Sequence, residues 1–265
     1  MIDKFKTERL STYVYETRTA MGNDAARHTA KCIRNLLEIR DTISIIFAAA
    51  PSQNEFLQAL ILQPNIEWNR IIAFHMDEYV GLPADAPQGF GNFLHRSIFG
   101  KVPFKSIHYL NGNAADMTLE CKRYADLLNT FIPDLVCMGI GENTHLAFND
   151  PHVADFNDPK MVKVVDLDPK CRQQQVNDGC FESIDQVPTH ALTLTIPTLF
   201  RPLYVFCIVP GINKAQAVQH TLTEPICEKF PSTILRKHPN AILFLEKESV
   251  SKIMNNYSST IKKKH

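Results

Sequence analysis

Seven short apolar runs recur along the chain, at Ile43–Ala49, Ile71–Phe74, Asp134–Gly139, Val162–Val165, Ala191–Ile196, Leu203–Val209 and Ala241–Leu245. Rich in Ile, Val, Leu and Phe, they read as strands buried on both faces. Between them, other segments space their apolar residues helically. Ala25 to Ile39 carries Ala26, Ala30, Ile33, Leu36 and Leu37 on one face, and Glu55 to Leu62, Leu119 to Leu128 and Ala215 to Leu222 follow suit. Strands alternating with helices restrict the chain to an α/β fold built on a mostly parallel sheet. No repeat, low-complexity tract or Pro/Gly-rich linker divides it, so residues 1–265 are expected to form a single domain, with Leu82–Pro87 as a loop.

Lys and Arg together number 28, as do Asp and Glu, so there is no net field to hold nucleic acid or an anionic membrane. Any anion must be captured locally. The 7 cysteines are scattered, without a C-x-x-C pair or zinc-finger spacing, and read as reduced thiols of a cytoplasmic protein. The first ten residues mix charges instead of forming the apolar run of a signal peptide, and the longest apolar stretches fall far short of the ~20 residues of a spanning helix. No membrane contact is expected. Lys262, Lys263 and Lys264 read as a solvated end.

Parallel sheets bind ligands beyond the carboxyl ends of their strands, which directs attention to the residues just after each run. Asp77 and Glu78 follow Ile71–Phe74 with no basic neighbour between. One reading has one of them capping a turn and the other solvated. The other has a strand-end carboxylate, partly screened from water, with its pKa raised towards that of a useful general base. The segment Gly139 to Pro151 is the most specific. Its glycines, Gly139 and Gly141, bring main-chain N–H groups close to a ligand, while Asn143 and Asp150 flank His145 and could fix its tautomer for proton transfer. A serine elbow is missing, and His145 has no second histidine at metal-binding spacing, so no metal is expected. For phosphate, the turn Ala49-Ala50-Pro51-Ser52-Gln53 leads into a helix and offers N–H groups and a hydroxyl, with Lys214 and Arg172 as candidate cations.

The segments His75 to Pro83, Leu110 to Ala114, Glu120 to Tyr124, Gly139 to Pro151, Gln186 to Thr193, Gly211 to Ala215 and His238-Pro239 resemble glucosamine-6-phosphate deaminases in order and spacing, from about residue 43 to 246. The resemblance implies a Rossmann-like fold with helices on both faces of the sheet, a homo-oligomer and no organic cofactor. It also implies conversion of a phosphorylated amino sugar, glucosamine 6-phosphate or its galactosamine epimer, to the ketose 6-phosphate and ammonia. By the same resemblance Asp77 moves the proton between C2 and C1, and His145 assists ring opening with support from Asn143 and Asp150. Arg172 and Lys214 hold the phosphate, and Ala49, Ala50, Ser52, Gln53, Glu78 and Gly141 complete the substrate site. Two readings compete, a 6-phosphogluconolactonase-like hydrolase and a catalytically silent sugar-phosphate binder. The second is prompted by the glycine-free Ala49–Gln53 loop and by Thr144, which stands where the family has glycine before the histidine. A β-branched residue resists positive φ, so that loop is expected to bend differently or carry strain.

Overall fold

The computed structural model describes residues 1–253; the lysines at 262–264 lie outside them. The strands are β1 Asp3–Thr7, β2 Leu10–Tyr15, β3 Ile43–Phe47, β4 Ile71–His75, β5 Asp77–Tyr79, β6 Ser106–His108, β7 Leu135–Met138, β8 Val162–Asp166, β9 His190–Leu194, β10 Tyr204–Val209 and β11 Ala241–Glu246. The helices are α1 Arg18–Ile39, α2 Asn54–Ile61, α3 Phe90–Leu94, α4 Met117–Thr130, α5 Pro169–Asn177, α6 Ile196–Phe200 and α7 Ala215–Thr223. None is long and apolar enough to cross a membrane among the described residues.

Eight strands form the main sheet in the order β1-β2-β11-β10-β7-β3-β4-β6, parallel throughout except for the antiparallel edge strand β1. Period-2 alternation sends Ile45, Phe47, Leu135 and Cys137 into one core layer, beneath the Met21, Ala25, Ala26, Ala30 and Ile33 face of α1. Ile46, Val136 and Met138 point into the opposite layer, with Tyr124 and Leu128 of α4 and Val218 of α7. This is the doubly covered α/β sheet that the alternation predicts.

Two of the seven runs depart from that expectation. Val162–Val165 and Ala191–Ile196 do supply strands, but β8 and β9 stand outside the main sheet and pair antiparallel with each other and with β5. Val164 is 40% exposed and Asp166 is solvated, so β8 has one wet face where the apolar run suggested burial on both. Helix α1 also begins seven residues earlier than its apolar stripe, at a Thr17 cap whose hydroxyl accepts the Ala20 N–H at 3.2 Å. It runs through Gly22, where a Cβ would sit 2.8 Å from the backbone of Glu55. Glycine there lets α1 and α2 pack with their first turns in contact.

The small sheet positions the residues that the sequence singled out. After His75 the chain leaves the main sheet, and β5 pairs Asp77 with Thr193 of β9. The Thr193 hydroxyl accepts the Phe148 N–H at 3.0 Å, and the Asn149 amide donates to the Leu194 carbonyl at 2.8 Å. The strand bearing Asp77 and the loop bearing His145 are therefore clasped to the same element.

Candidate active site

A cleft at the carboxyl end of the main sheet is lined by Ala49, Ala50, Ser52, Gln53, Asp77, Gly141, His145 and Lys214, drawn from four separate stretches of sequence. Eight of the twelve expected site residues therefore share one cavity, and Asn143 and Asp150 stand directly behind His145.

Asp77 is 6% exposed and its carboxyl accepts no hydrogen bond from the described residues. Burial, reinforced by the neighbouring Glu78 charge, raises its pKa well above the ordinary carboxylate range. His75 fixes its backbone. The Leu110 N–H donates to His75 Nε2 at 2.9 Å, which leaves Nδ1–H to donate to the Asp77 carbonyl, also at 2.9 Å. Burial lowers the pKa of this imidazole to about 4, so it serves as a neutral bracket.

Glu78, the adjacent carboxylate, does not reach the cleft. Successive side chains of a strand point to opposite faces, and Glu78 accepts the N–H groups of Tyr79, Phe90 and Gly91 at 2.9, 3.0 and 2.8 Å, capping α3. It lines a different cavity of about 300 Å³. The pair thus takes one half from each reading: Glu78 is the cap, but Asp77 is buried in the cleft where the turn-capping reading had it solvated.

His145 Nδ1 lies 2.9 Å from Asp150 Oδ1, which also accepts the Asn143 amide at 2.9 Å; Asp150 Oδ2 takes the Asp168 N–H at 3.2 Å. Burial works against charge on Asp150, yet these bonds and the attraction of His145 hold its pKa below the ordinary range. The arrangement makes Nδ1 the donor and leaves Nε2 for the cleft. Asn143 completes the brace, its Oδ1 accepting the His145 N–H at 3.2 Å. Cys171 joins the group as a buried thiol beside Asp150. Its sulfur lies within 4.8 Å of ligand-type atoms of His145 and Asp150, and burial raises its pKa well above the usual value, so it stands there as a neutral thiol.

This carboxylate yields a stability prediction with a definite sign. Its folded pKa is depressed, so its contribution is present above the ordinary Asp value and lost as pH falls through the lower folded value. Asp150→Asn is expected to lose about 1.5–3 kcal/mol at pH 7, the range for hydrogen bonds to a charged group. Urea unfolding should show the gap closing towards pH 3; a gap constant with pH would place its origin elsewhere.

The loop carrying His145 is strained as expected. Thr144 has φ 74° and Ala147 φ 50°. Thr144 is fully buried, its carbonyl accepting the Ser232 N–H at 3.0 Å, and Gly141 and His145 are tied by a 3.0 Å backbone bond. The imidazole lies on Gly141, where a Cβ would be 2.1 Å from the ring. No larger residue fits.

The other end of the cleft is assembled from two turns. Gln53 Nε2 donates to the Ile208 carbonyl at 3.1 Å and to Ser52 Oγ at 3.2 Å, so the Ser52 hydroxyl keeps its own proton for a ligand. Lys214 is 6% exposed, and burial lowers its pKa against the opposing pull of Asp178, Glu142 and Cys171. A sequestered ammonium facing a cleft favours an anionic ligand.

Arg172 is not brought to this site. Its guanidinium donates to the carbonyls of Ile184 and Val187 at 2.6 and 2.8 Å, tying α5 to the loop before β9, and it does not line the cleft. The same helix instead presents Gln174 and Gln175 to the cavity. Reading the sequence missed both; their signal is the i, i+3 and i, i+4 spacing from buried Cys171, which places them on the inward face of α5.

The family model described as glucosamine-6-phosphate isomerases/6-phosphogluconolactonase matches residues 16–244. Glucosamine-6-phosphate deaminases of Bacillus cereus (strain B4264) and Bacillus thuringiensis (strain Al Hakam) are 36% and 35% identical over 186 residues, 70% of this chain and 69% of theirs. A solved structure of a monomeric glucosamine-6-phosphate deaminase superposes with a TM-score of 0.82 at 29% identity, over 91% of this chain and 98% of that one. A 6-phosphogluconolactonase from Thermotoga maritima shares the fold at TM-score 0.73 and 20% identity, over 90% and 100%. Because one of these neighbours is monomeric, the similarity does not by itself imply the homo-oligomer expected from the sequence.

Proposed function

Since the chain belongs to the glucosamine-6-phosphate isomerase/6-phosphogluconolactonase family, and to its deaminase branch by its curated relatives, we propose that it converts an amino-sugar 6-phosphate, glucosamine 6-phosphate first, to the ketose 6-phosphate and ammonia. The observation that carries this reading is the sharing of one cleft by Asp77, the His145 relay and Lys214.

Each group has a step. The phosphate rests on Ser52, the N–H groups of the Ala49–Gln53 turn and Lys214, and binding energy spent at that end places C2 against the base. His145 Nε2 moves the proton between the ring oxygen and O1 that opens the pyranose, while Asp150 stabilises the imidazolium that forms transiently. Asp77 removes the C2 proton from the open chain and returns it to C1. The enolamine thereby becomes a C2 imine, water adds to C2, and the C2–N bond breaks to release ammonia. Hydrolysis of a sugar lactone needs an activated water and no carbon acid chemistry. A buried carboxylate whose basicity is raised by its surroundings favours the isomerase over that reading. The filled relay behind His145 favours turnover over silent binding.

Incubation with glucosamine 6-phosphate, galactosamine 6-phosphate and 6-phosphogluconolactone tests the reading. Fructose 6-phosphate and ammonia in equal amounts are expected from the first. Acid release from the lactone alone, or no turnover across the panel, would falsify it.

A further inference from the structure

With Arg172 turned away, the cleft holds Lys214 as its one cation among the described residues, whereas a phosphate monoester carries close to two negative charges at neutral pH. We propose that Arg18 supplies the second, as a phosphate-binding residue reaching over Gly211; the assignment rests on the reading of the cleft as a sugar-phosphate site.

Arg18 opens α1, one helical turn before Gly22, so both lie on the same face. Gly22 seats that face on the first turn of α2, where an added Cβ would come within 2.8 Å of Glu55, and so fixes where Arg18 stands. The guanidinium uses two of its nitrogens on Glu55, Nε to Oε1 at 2.9 Å and Nη2 to Oε2 at 3.2 Å. That fork sends Nη1 the other way. It lies 4.0 Å from where a Cβ on Gly211 would be. Gly211, at φ +96°, begins the turn that delivers Lys214 into the cleft, and Glu55 belongs to the turn that follows Ser52 and Gln53. The guanidinium therefore lies between the first turn of α2 and the Gly211 turn, beside the residues that line the cleft but not itself among them, so a ligand must bring its phosphate out to that rim. The Arg18 side chain is 41% exposed, available to a ligand yet oriented by Glu55. A residue larger than glycine at 211 would be strained at this φ.

Calorimetry with inorganic phosphate reads this without turnover. Arg18→Ala is expected to weaken phosphate binding by about 10- to 100-fold, as loss of a charge-assisted bond does, and Arg18→Lys by a smaller factor. With glucosamine 6-phosphate the same loss should appear in KM, with kcat within about threefold. Glu55→Gln separates binding from support. It loosens the ion pair but keeps the guanidinium, so phosphate affinity should hold or rise. A loss there as large as in Arg18→Ala would reduce the pair to scaffolding and overturn the proposal, as would unchanged phosphate affinity in Arg18→Ala. Arg18-dependent phosphate binding without turnover of any amino-sugar phosphate would leave this proposal standing and remove only the reaction assigned above.

Discussion

Asp77→Asn should lower kcat by about 10²–10⁴-fold, the usual contribution of a positioned base, and leave KM nearly unchanged. The amide is isosteric, and the residue's main-chain contacts to His75 and Thr193 do not depend on its charge. Carrying out the reaction in deuterated water isolates the step: label that enters C1 during wild-type turnover should disappear with the variant, and undiminished exchange would transfer the role to another group. The raised pKa adds two signs. A base must be ionised, so wild-type kcat/KM should fall on the acid side at a pH above the ordinary Asp range. In the folded state this carboxyl also holds its proton more tightly than in the unfolded chain, so its ionisation destabilises the fold as pH rises above the unfolded value. The inactive variant should therefore melt higher than wild type at pH 8, with the difference shrinking towards pH 4. Equal melting at both pH values would show that the Asp77 charge costs the fold nothing and would overturn this prediction.

Gly141→Ala is expected to be nearly as damaging without touching a titratable group. The added methyl would lie 2.1 Å from Cε1 and Nε2 of His145 and 2.3 Å from Cδ2, far inside contact distance. The ring cannot slide away while its Nδ1 stays bonded to Asp150 at 2.9 Å. Either the relay breaks or the loop shifts by about 1 Å, and misplacement of that size costs roughly 10²-fold in rate. Circular dichroism should show an intact fold, and the imidazole proton signal should lose the shift that comes from its bond to Asp150. Wild-type kcat in this variant would show that the imidazole need not stay where it is.

The contrast between these residues explains what the sequence made legible. His145, Asn143, Asp150 and Gly141 lie within ten residues, so local spacing alone fixed their neighbourhood, and the structure brings them together as expected. Lys214 was readable because it follows a strand-end glycine at the start of a helix. Arg172 was not, since nothing local says which way a surface arginine turns, and its partners Ile184 and Val187 stand 12 and 15 residues on. Five strands of the main sheet, β3, β4, β7, β10 and β11, were legible from their apolar runs, whereas β1, β2 and β6, which mix polar residues into short segments, were not. The small sheet was hidden because β5 is only three residues long and polar, and its pairing with β9 spans more than a hundred residues. Arg18 was invisible for a related reason: its meaning depends on contacts to Glu55 and Gly211, both distant in sequence.

The division of Asp77 from Glu78 bears on how this protein can change over evolutionary time. Their opposite directions follow from odd and even places along three residues of strand, and parity has no intermediate values. Inserting or deleting one amino acid between His75 and Asp77 would exchange the two acids, turning the longer one into the pocket and leaving the shorter to span the gap to Gly91. Insertions at 82–87 face no such arithmetic. Descendants of this chain should therefore vary in length after the strand and keep a fixed count within it.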